Sequence, residues 1–307
     1  MRDDETMARA MREEIEGRVR KLRKRLAKAH AGKVEGVHKA RTELRRIRAE
    51  IDTMGHTAYG SAVMERLADR LHEAERALGK TRDTDVLLAD LRAYVRRAPR
   101  KEARSLAPVC ARLAAKREAS AKDARAALDK RTRRQLERAL EHGVRRKNVV
   151  ALQPKNPARA APELVRHFTH QEVWRRYEAM RAYDARLPAD VETLHALRSA
   201  CRDLRFTLEA FEGALPGLEP IARSLHALQD EMGELHDHQV AIDRLERWRR
   251  KGKIKTTRAL DRYLARRADA RDELRSRSEP RWLAVLGEEF RARLARALEP
   301  HALVTAA

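Results

Sequence analysis

Glycine and proline are scarce in this chain, 12 and 10 among 307 residues, and β-branched runs are nearly missing. That leaves little turn-forming material, and long helices are what such a composition builds. Only two cysteines occur, Cys110 and Cys201, in Ala- and Arg-rich surroundings without disulfide-framework or metal-ligand spacing. A disulfide scaffold is thereby excluded, and a reducing cytoplasm suits the chain best. Aromatic residues make up 4% of the sequence, too few for the stacking platforms that single-strand nucleic-acid readers commonly use. No uninterrupted apolar run approaches the roughly 18 residues of a membrane span. The first residues, MRDDETMARA, are acidic and lack the apolar segment of a secretion signal. A soluble, unexported protein without membrane insertion is expected.

What is abundant points the same way. Hydrophobic residues reach 42%, enough for a real core, and Ala, Leu, Arg, Glu and Lys dominate, so the expected fold is all-α. Lys and Arg outnumber Asp and Glu by 69 to 47, a formal charge of +22. Self-repulsion at that charge opposes compaction, and the partner it favours is a polyanion: nucleic acid, an anionic membrane surface or another phosphate polymer.

Amphipathic helical pattern runs from about residue 8 to 142 and breaks at HGVRRKNVVALQPKNPARAAP, which holds one glycine and three prolines. Helix resumes near Glu163 and continues to about residue 298, interrupted at RLPAD, GALPGLEP and KGK. The predicted organisation is a first helical bundle over 8–150, a linker over 151–162 and a second bundle over 163–300. Each bundle has room for about six helices.

The two blocks resemble each other. An offset of 157 residues lays His38 on His195, Arg41 on Arg198, Arg45 on Arg202 and Arg48 on Arg205. The same offset lays Val37, Leu44, Ile47 and Ile51 on Leu194, Cys201, Leu204 and Leu208. Further on, LGKTRDTDVLLADL at 78–91 matches MGELHDHQVAIDRL at 232–245, an offset of 154. An internal duplication of one antiparallel bundle accounts for both matches, and two related bundles normally pack about a pseudo-twofold axis.

At about 100° per residue, the histidine and the arginines three, seven and ten positions on share roughly 80° of arc. They form one cationic stripe beside an apolar one, while Arg46 points away. No acidic residue interleaves on the stripe, so an anion is expected against it. Arginine suits the task, because its planar fork grips phosphate oxygens bidentately and its charge does not titrate away. A solvated charged face is the bland alternative, and recurrence in register argues against it. The histidines add a donor when protonated or serve a structural role.

Secondary basic candidates are weaker. Arg18 and Lys24 fall on Arg175 and Arg181 at the offset of 157, but the two members of each pair point about 120° apart. Lys116 falls on Arg267 if the offset becomes 151. Arg82 belongs to the second matched motif. Asp83 and Asp237 are either charges near a helix N-terminus or carboxylates that orient a stripe residue.

The pattern H-x-x-R-x-x-x-R-x-x-R, followed some forty residues later by L-G-x-x-R-D-x-D-V, resembles the CHAD family, the conserved histidine α-helical domain. VHKARTELRRIRAEI with LGKTRDTDVL carries the likeness in the first half, and LHALRSACRDLRFTLEAF carries it in the second. MGELHDHQVAI departs from the pattern by placing His236 and Gln239 where the first half has Arg82 and Asp85. The resemblance implies paired helical bundles about a pseudo-twofold axis, with the basic helices facing a central groove or pore. It also implies inorganic polyphosphate as ligand and association with polyphosphate granules. The expected function is therefore non-enzymatic binding, without cofactor or metal, by His38, Arg41, Arg45, Arg48, His195, Arg198, Arg202 and Arg205.

Two rivals use the same residues. A basic helical protein that binds nucleic acid, as main or secondary polyanion, needs the same arginines, but no DNA-reading motif appears. A metal-dependent phosphohydrolase draws on the HDH string at 236–238, or on His38 with His195 as ligands on facing helices. Adjacent helical residues diverge by about 100°, and a metal among guanidinium groups is electrostatically awkward.

Overall fold

In the computed structural model the described residues are Arg2 and residues 4–145, 148–149, 164–184 and 191–299. The predicted linker, 151–162, lies outside them, as does the whole RLPAD break. Among the described residues the chain is helical throughout, without a named strand, as the composition predicts.

The first half holds α1 (Met7–His30), α2 (Val34–Glu50), a short α3 (His56–Ala58), α4 (Ser61–Arg97), α5 (Arg100–Ala127) and α6 (Lys130–Gly143). The second half holds α7 (Val165–Arg181), α8 (Val191–Phe211), α9 (Glu219–Arg250), α10 (Arg258–Leu286) and α11 (Glu288–Leu298). Local chemistry sets the boundaries. Thr6, Asp129 and Thr257 cap α1, α6 and α10 by accepting backbone N–H bonds with their side chains. Gly32 and Gly252 end α1 and α9 at φ of 77° and 63°, a left-handed conformation that only glycine adopts without cost. Along α1 the residues Met7, Met11, Ile15, Val19, Leu22 and Leu26 are buried at steps of three and four, the stripe of a helix covered on one side. α2 does not stop cleanly: it runs through a π turn at Ile51–Gly55 into α3.

Packing repeats between the halves. α1 packs on α2, α2 on α4 and α4 on α5; likewise α7 packs on α8, α8 on α9 and α9 on α10. Across the halves, like meets like: α2 touches α8, α4 touches α9 and α5 touches α10. Arg244 donates to the Thr84 hydroxyl at 3.1 Å, and Asp90 stands near enough to His238 to oppose the lowering of its pKa by burial and Arg267.

Two apolar cores result, and each draws on both halves. The larger is built on α1, α2 and α8, with the early turns of α4 and α9. The smaller joins Leu87, Leu91, Leu106 and Val109 of the first half to Leu245, Leu260 and Tyr263 of the second. Between the cores, α4 and α9 pass through a polar waist formed by residues 80–85 and 236–239, within the segments of the second sequence match. No helix among the described residues is long and apolar enough to cross a membrane.

Candidate functional site

α2 and α8 lie against each other with their apolar faces in the larger core: Leu44 and Ile47 on one, Leu204 and Leu208 on the other, all fully buried. Their polar faces then meet at the waist and form one wall of a groove of about 420 Å³, whose other wall is α9. His38, Arg45, Arg198, Arg202 and Arg205 line it. Arg41 reaches the same cluster, because it depresses the pKa of both Arg45 and Arg198.

The electrostatics are those of crowded cations. Burial, followed by the charges of Arg41, Arg202 and Arg198, pulls Arg45 down to about 10, with Glu75 only partly offsetting them. Arg198 is lowered by burial, Arg202 and Arg41. Arg205 is lowered by burial and Arg46, against an opposing pull from Glu209. The side chains of Arg41, Arg45 and Arg202 are only 19%, 22% and 22% exposed, so water screens them incompletely. The Nε–H groups of Arg41, Arg45, Arg46 and Arg205 are buried and have no hydrogen-bond partner among the described residues. Unpaired buried donors of this charge cost about 1–3 kcal/mol each or more, which an anion in the groove would recover.

Carboxylates tie down part of the cluster. Asp83, on α4, lies 3.4 Å from Arg41. Asp237 sits beside Arg198, and its own pKa is raised by burial more than Arg198 and Arg82 lower it. Both acids thus stand next to equivalent arginines. Arg202 binds the adjacent Asp203 at 3.0 Å. Arg205 pairs with Glu209 at 2.8 Å and lies 4.6 Å from the Phe206 ring centroid. His38 stays biased to its neutral form by burial and by Arg82, Arg45 and Arg41, which places Arg82 at the same waist.

Several expectations need correction. Helical phase turns Arg46 away, yet it lines the groove, pairs with Glu209 at 3.1 Å and stacks over Phe206. Arg48, a stripe member by helical phase, instead turns to α4, where Glu75 at 2.8 Å and His72 hold it. Acids interleave after all, arriving from other helices: Glu75 from α4, and Asp230 and Glu234 on the α9 wall. His195 leaves its counterpart: it faces a separate recess with His236, their ring centroids 5.3 Å apart.

The secondary candidates also divide. Arg18 is buried among Glu14, Glu43 and Glu50 inside the α1–α2 packing, where it neutralises internal acids. Lys24 is exposed on α1. Arg175 pairs with Glu172, and Arg181 with Glu178 and Glu288, both away from the groove. Lys116 is exposed, and it is its neighbour Arg117 that turns inward to Asp85 at 2.9 Å. The equivalent bond is Arg271 to Gln239 at 2.8 Å, so the offset of 154 persists and Lys116 does not match Arg267. Arg267 is buried against Asp90 at 3.0 Å and donates to the Asp237 carbonyl.

The HDH string disperses: His236 faces the recess, Asp237 the groove, and His238 is buried near Arg267 and Asp90. His38 and His195 are not brought together. Among the described residues no three His, Cys, Asp or Glu side chains group as metal ligands. Sequence reasoning missed Arg46, Phe206 and Glu75, because only the crossing of α2 with α8 and α4 brings them to the stripe.

Fold and site together define an all-α protein with a guanidinium-lined groove at the waist of two packed helical halves. Residues 13–246 match the CHAD domain, and the chain belongs to that family. The crystal structure of the CHAD domain from the plant Ricinus communis is similar at a TM-score of 0.63 and 22% identity, over 99% of this chain and 94% of that one. PptA from Streptomyces chartreusis is similar at a TM-score of 0.62 and 16% identity, over 95% of this chain and 99% of that one. No curated protein matches the chain.

Proposed function

We propose that the chain binds inorganic polyphosphate along the α2–α8 wall of the groove, without turning it over, and so attaches to polyphosphate wherever the polymer accumulates, granules included. The observation that carries this reading is the apposition of Arg41 and Arg45 with Arg198 and Arg202. These are four guanidinium groups from two helices, mutually repelling and in part without hydrogen-bond partners. A linear phosphate polymer answers all of them and requires no aromatic platform. Family membership supports the same ligand, as the sequence resemblance implied.

The test is titration of defined-length polyphosphate into the wild type and into a variant with Arg41, Arg45, Arg198 and Arg202 all changed to Ala. Loss of at least about a hundredfold in affinity is expected, since each charge-assisted contact is worth more than a neutral one. Unchanged affinity in a folded variant sinks the site. Preference for duplex DNA over polyphosphate at equal salt sinks the ligand, and release of phosphate from the polymer sinks the non-enzymatic reading.

A further inference from the structure

The chain's net charge is not spread evenly. RRAPRKEAR at 96–104 and RWRRKGKIKTTR at 247–258 hold twelve Lys and Arg against one acid, so half of the +22 falls on 21 residues. The first segment turns α4 into α5, and the second turns α9 into α10. Both turns stand at the same end of the molecule, beside the smaller core. Tyr94 and Val95 pack on that core from one hairpin, Trp248 and Ile254 from the other. Glu102 of α5 pairs with Arg262 of α10, and the Tyr94 and Tyr263 rings meet edge to face at 5.1 Å between centroids. Of the twelve basic residues, all but Arg249 are exposed.

Stability accounts for only part of this charge. The basic residues in the last turns of α4 and α9 complement the helix dipole. Arg100 and Lys101 do the opposite: they stand in the first turn of α5, where the dipole opposes a cation and no side chain caps the helix. Lys251, Lys253 and Lys255 lie between α9 and α10, in neither helix. The acids at this end are already engaged, Glu102 with Arg262 and both Glu246 and Asp261 with Arg249. Arg100, Lys101, Lys251, Lys253 and Lys255 form no ion pair among the described residues.

A polyanion suits such a surface, and the surroundings narrow its chemistry. The exposed large hydrophobic residues, Val34 and Leu283, lie elsewhere, so the apolar second signal of stable membrane anchoring is missing here. Arg266 lies over the Tyr94 ring and Arg112 over the Trp248 ring, which leaves no free aromatic face on which a base could stack. Helices end at this surface and present no flank that could enter a duplex groove. A flexible chain of phosphates without bases fits what remains. We propose that this end is a second contact for the polyphosphate chain held in the groove, a reading that rests on the groove assignment, and that the protein thereby selects long polymers. α4 runs from Asp83, beside Arg41, to Arg97, and α9 runs from Asp237, in the groove, to Arg250. Each stretch covers about 20 Å at 1.5 Å per residue. A chain that spans this distance meets the tip at high effective concentration once the groove holds it, whereas a shorter chain has the groove alone. Exposed contacts of this kind are individually weak and act only in number.

The test compares polyphosphate too short to span about 20 Å with polyphosphate several times that length, at low protein concentration. It uses the wild type and a tip variant with Arg100, Lys101, Lys251, Lys253 and Lys255 all changed to Gln. The wild type is expected to bind the long chain at least about tenfold more tightly than the short one. A longer chain also offers more registers to any single site, so the deciding quantity is how far the long-to-short ratio falls in the variant. A fall of at least about fivefold is expected, with short-chain affinity kept within about twofold. If the combined variant fails to fold, the three lysines alone, which lie outside the helices, decide. An unchanged ratio in the folded variant overturns the proposal. A variant with Arg41, Arg45, Arg198 and Arg202 changed to Ala leaves the tip as the main site. Tighter binding there of duplex DNA or of phosphatidylserine vesicles than of long polyphosphate, at equal salt, overturns the choice of polymer. Undiminished short-chain affinity in that same variant, with the ratio still dependent on the tip, overturns the groove reading and not the tip contact.

Discussion

Arg45 carries its charge at a disadvantage. Burial and three neighbouring guanidinium groups pull its pKa down to about 10, and its Nε–H lacks a partner. The sign of the linkage follows. A depressed cationic pKa means that the folded state disfavours the proton, so the penalty is present in full at neutral pH. It eases only above about pH 10, where the folded chain releases the proton before the unfolded one does. Arg45→Met, which keeps the stem and removes the charge, is expected to raise the unfolding free energy of the ligand-free protein by about 1–3 kcal/mol, from the pKa shift discounted for partial solvation. The same variant is expected to weaken polyphosphate binding about tenfold or more. Arg48→Met should do the reverse. It takes from Glu75, only 15% exposed, its partner at 2.8 Å and leaves it Arg45 at 3.9 Å, and is expected to cost about 1–2 kcal/mol with little effect on binding. Urea unfolding with and without polyphosphate reads both, and a lower urea midpoint for Arg45→Met would show that the fold already satisfies this arginine.

Stripes belong to helices, and how α2 is held decides where its stripe points. Gly36, near the start of α2, packs on the end of α1 so closely that a Cβ would lie 2.6 Å from the Lys28 carbonyl carbon and 2.7 Å from the Ala29 nitrogen. Both are backbone atoms, which cannot swing aside as a side chain would. Gly36→Ala is therefore expected to push α2 off α1 and lower stability by about 1–3 kcal/mol, the usual cost of overpacking. Gly233, within α9 on the groove's other wall, has nothing within 4 Å of the place a Cβ would take. There alanine is expected to stabilise, by up to about 1 kcal/mol, through helix propensity alone. Equal effects of the two substitutions in urea unfolding would remove the packing argument. This scale also marks what the sequence makes legible. Helical phase and repetition in register single out His38, Arg41, Arg45, Arg198 and Arg202 without any coordinates. Phase fails for Arg46 and Arg48, because a guanidinium sits at the end of a long stem and its position is set by carboxylates on other helices. Glu209 of α8 and Glu75 of α4 draw the two arginines to places their Cα directions do not indicate.

Across the whole molecule, the pairing of like helices could be anticipated from the two offsets, 157 and 154, whereas the sharing of each core between the halves could not. Hydropathy marks which face of a helix is buried but not which partner buries it, and only the assembled fold shows α4 and α9 crossing a polar waist between two cores. Beside that waist the α2–α8 wall concentrates positive charge in a chain already at +22. Two free energies consequently depend on salt with opposite signs. Folding brings like charges together, so ions that shorten the screening length, about 10 Å at 0.1 M, relieve the repulsion and stabilise the ligand-free protein. Binding a phosphate polymer releases counterions, so the same ions oppose it, with log affinity falling linearly in log salt. Raising sodium chloride from about 20 to about 300 mM is therefore expected to increase the urea midpoint of the free protein while polyphosphate affinity drops by orders of magnitude. Changing Arg41, Arg45, Arg198 and Arg202 to Ala should flatten both dependences together, because the same four charges carry them. A variant that lost affinity but kept the wild-type salt slope would place the polymer elsewhere on the basic surface, away from the α2–α8 wall.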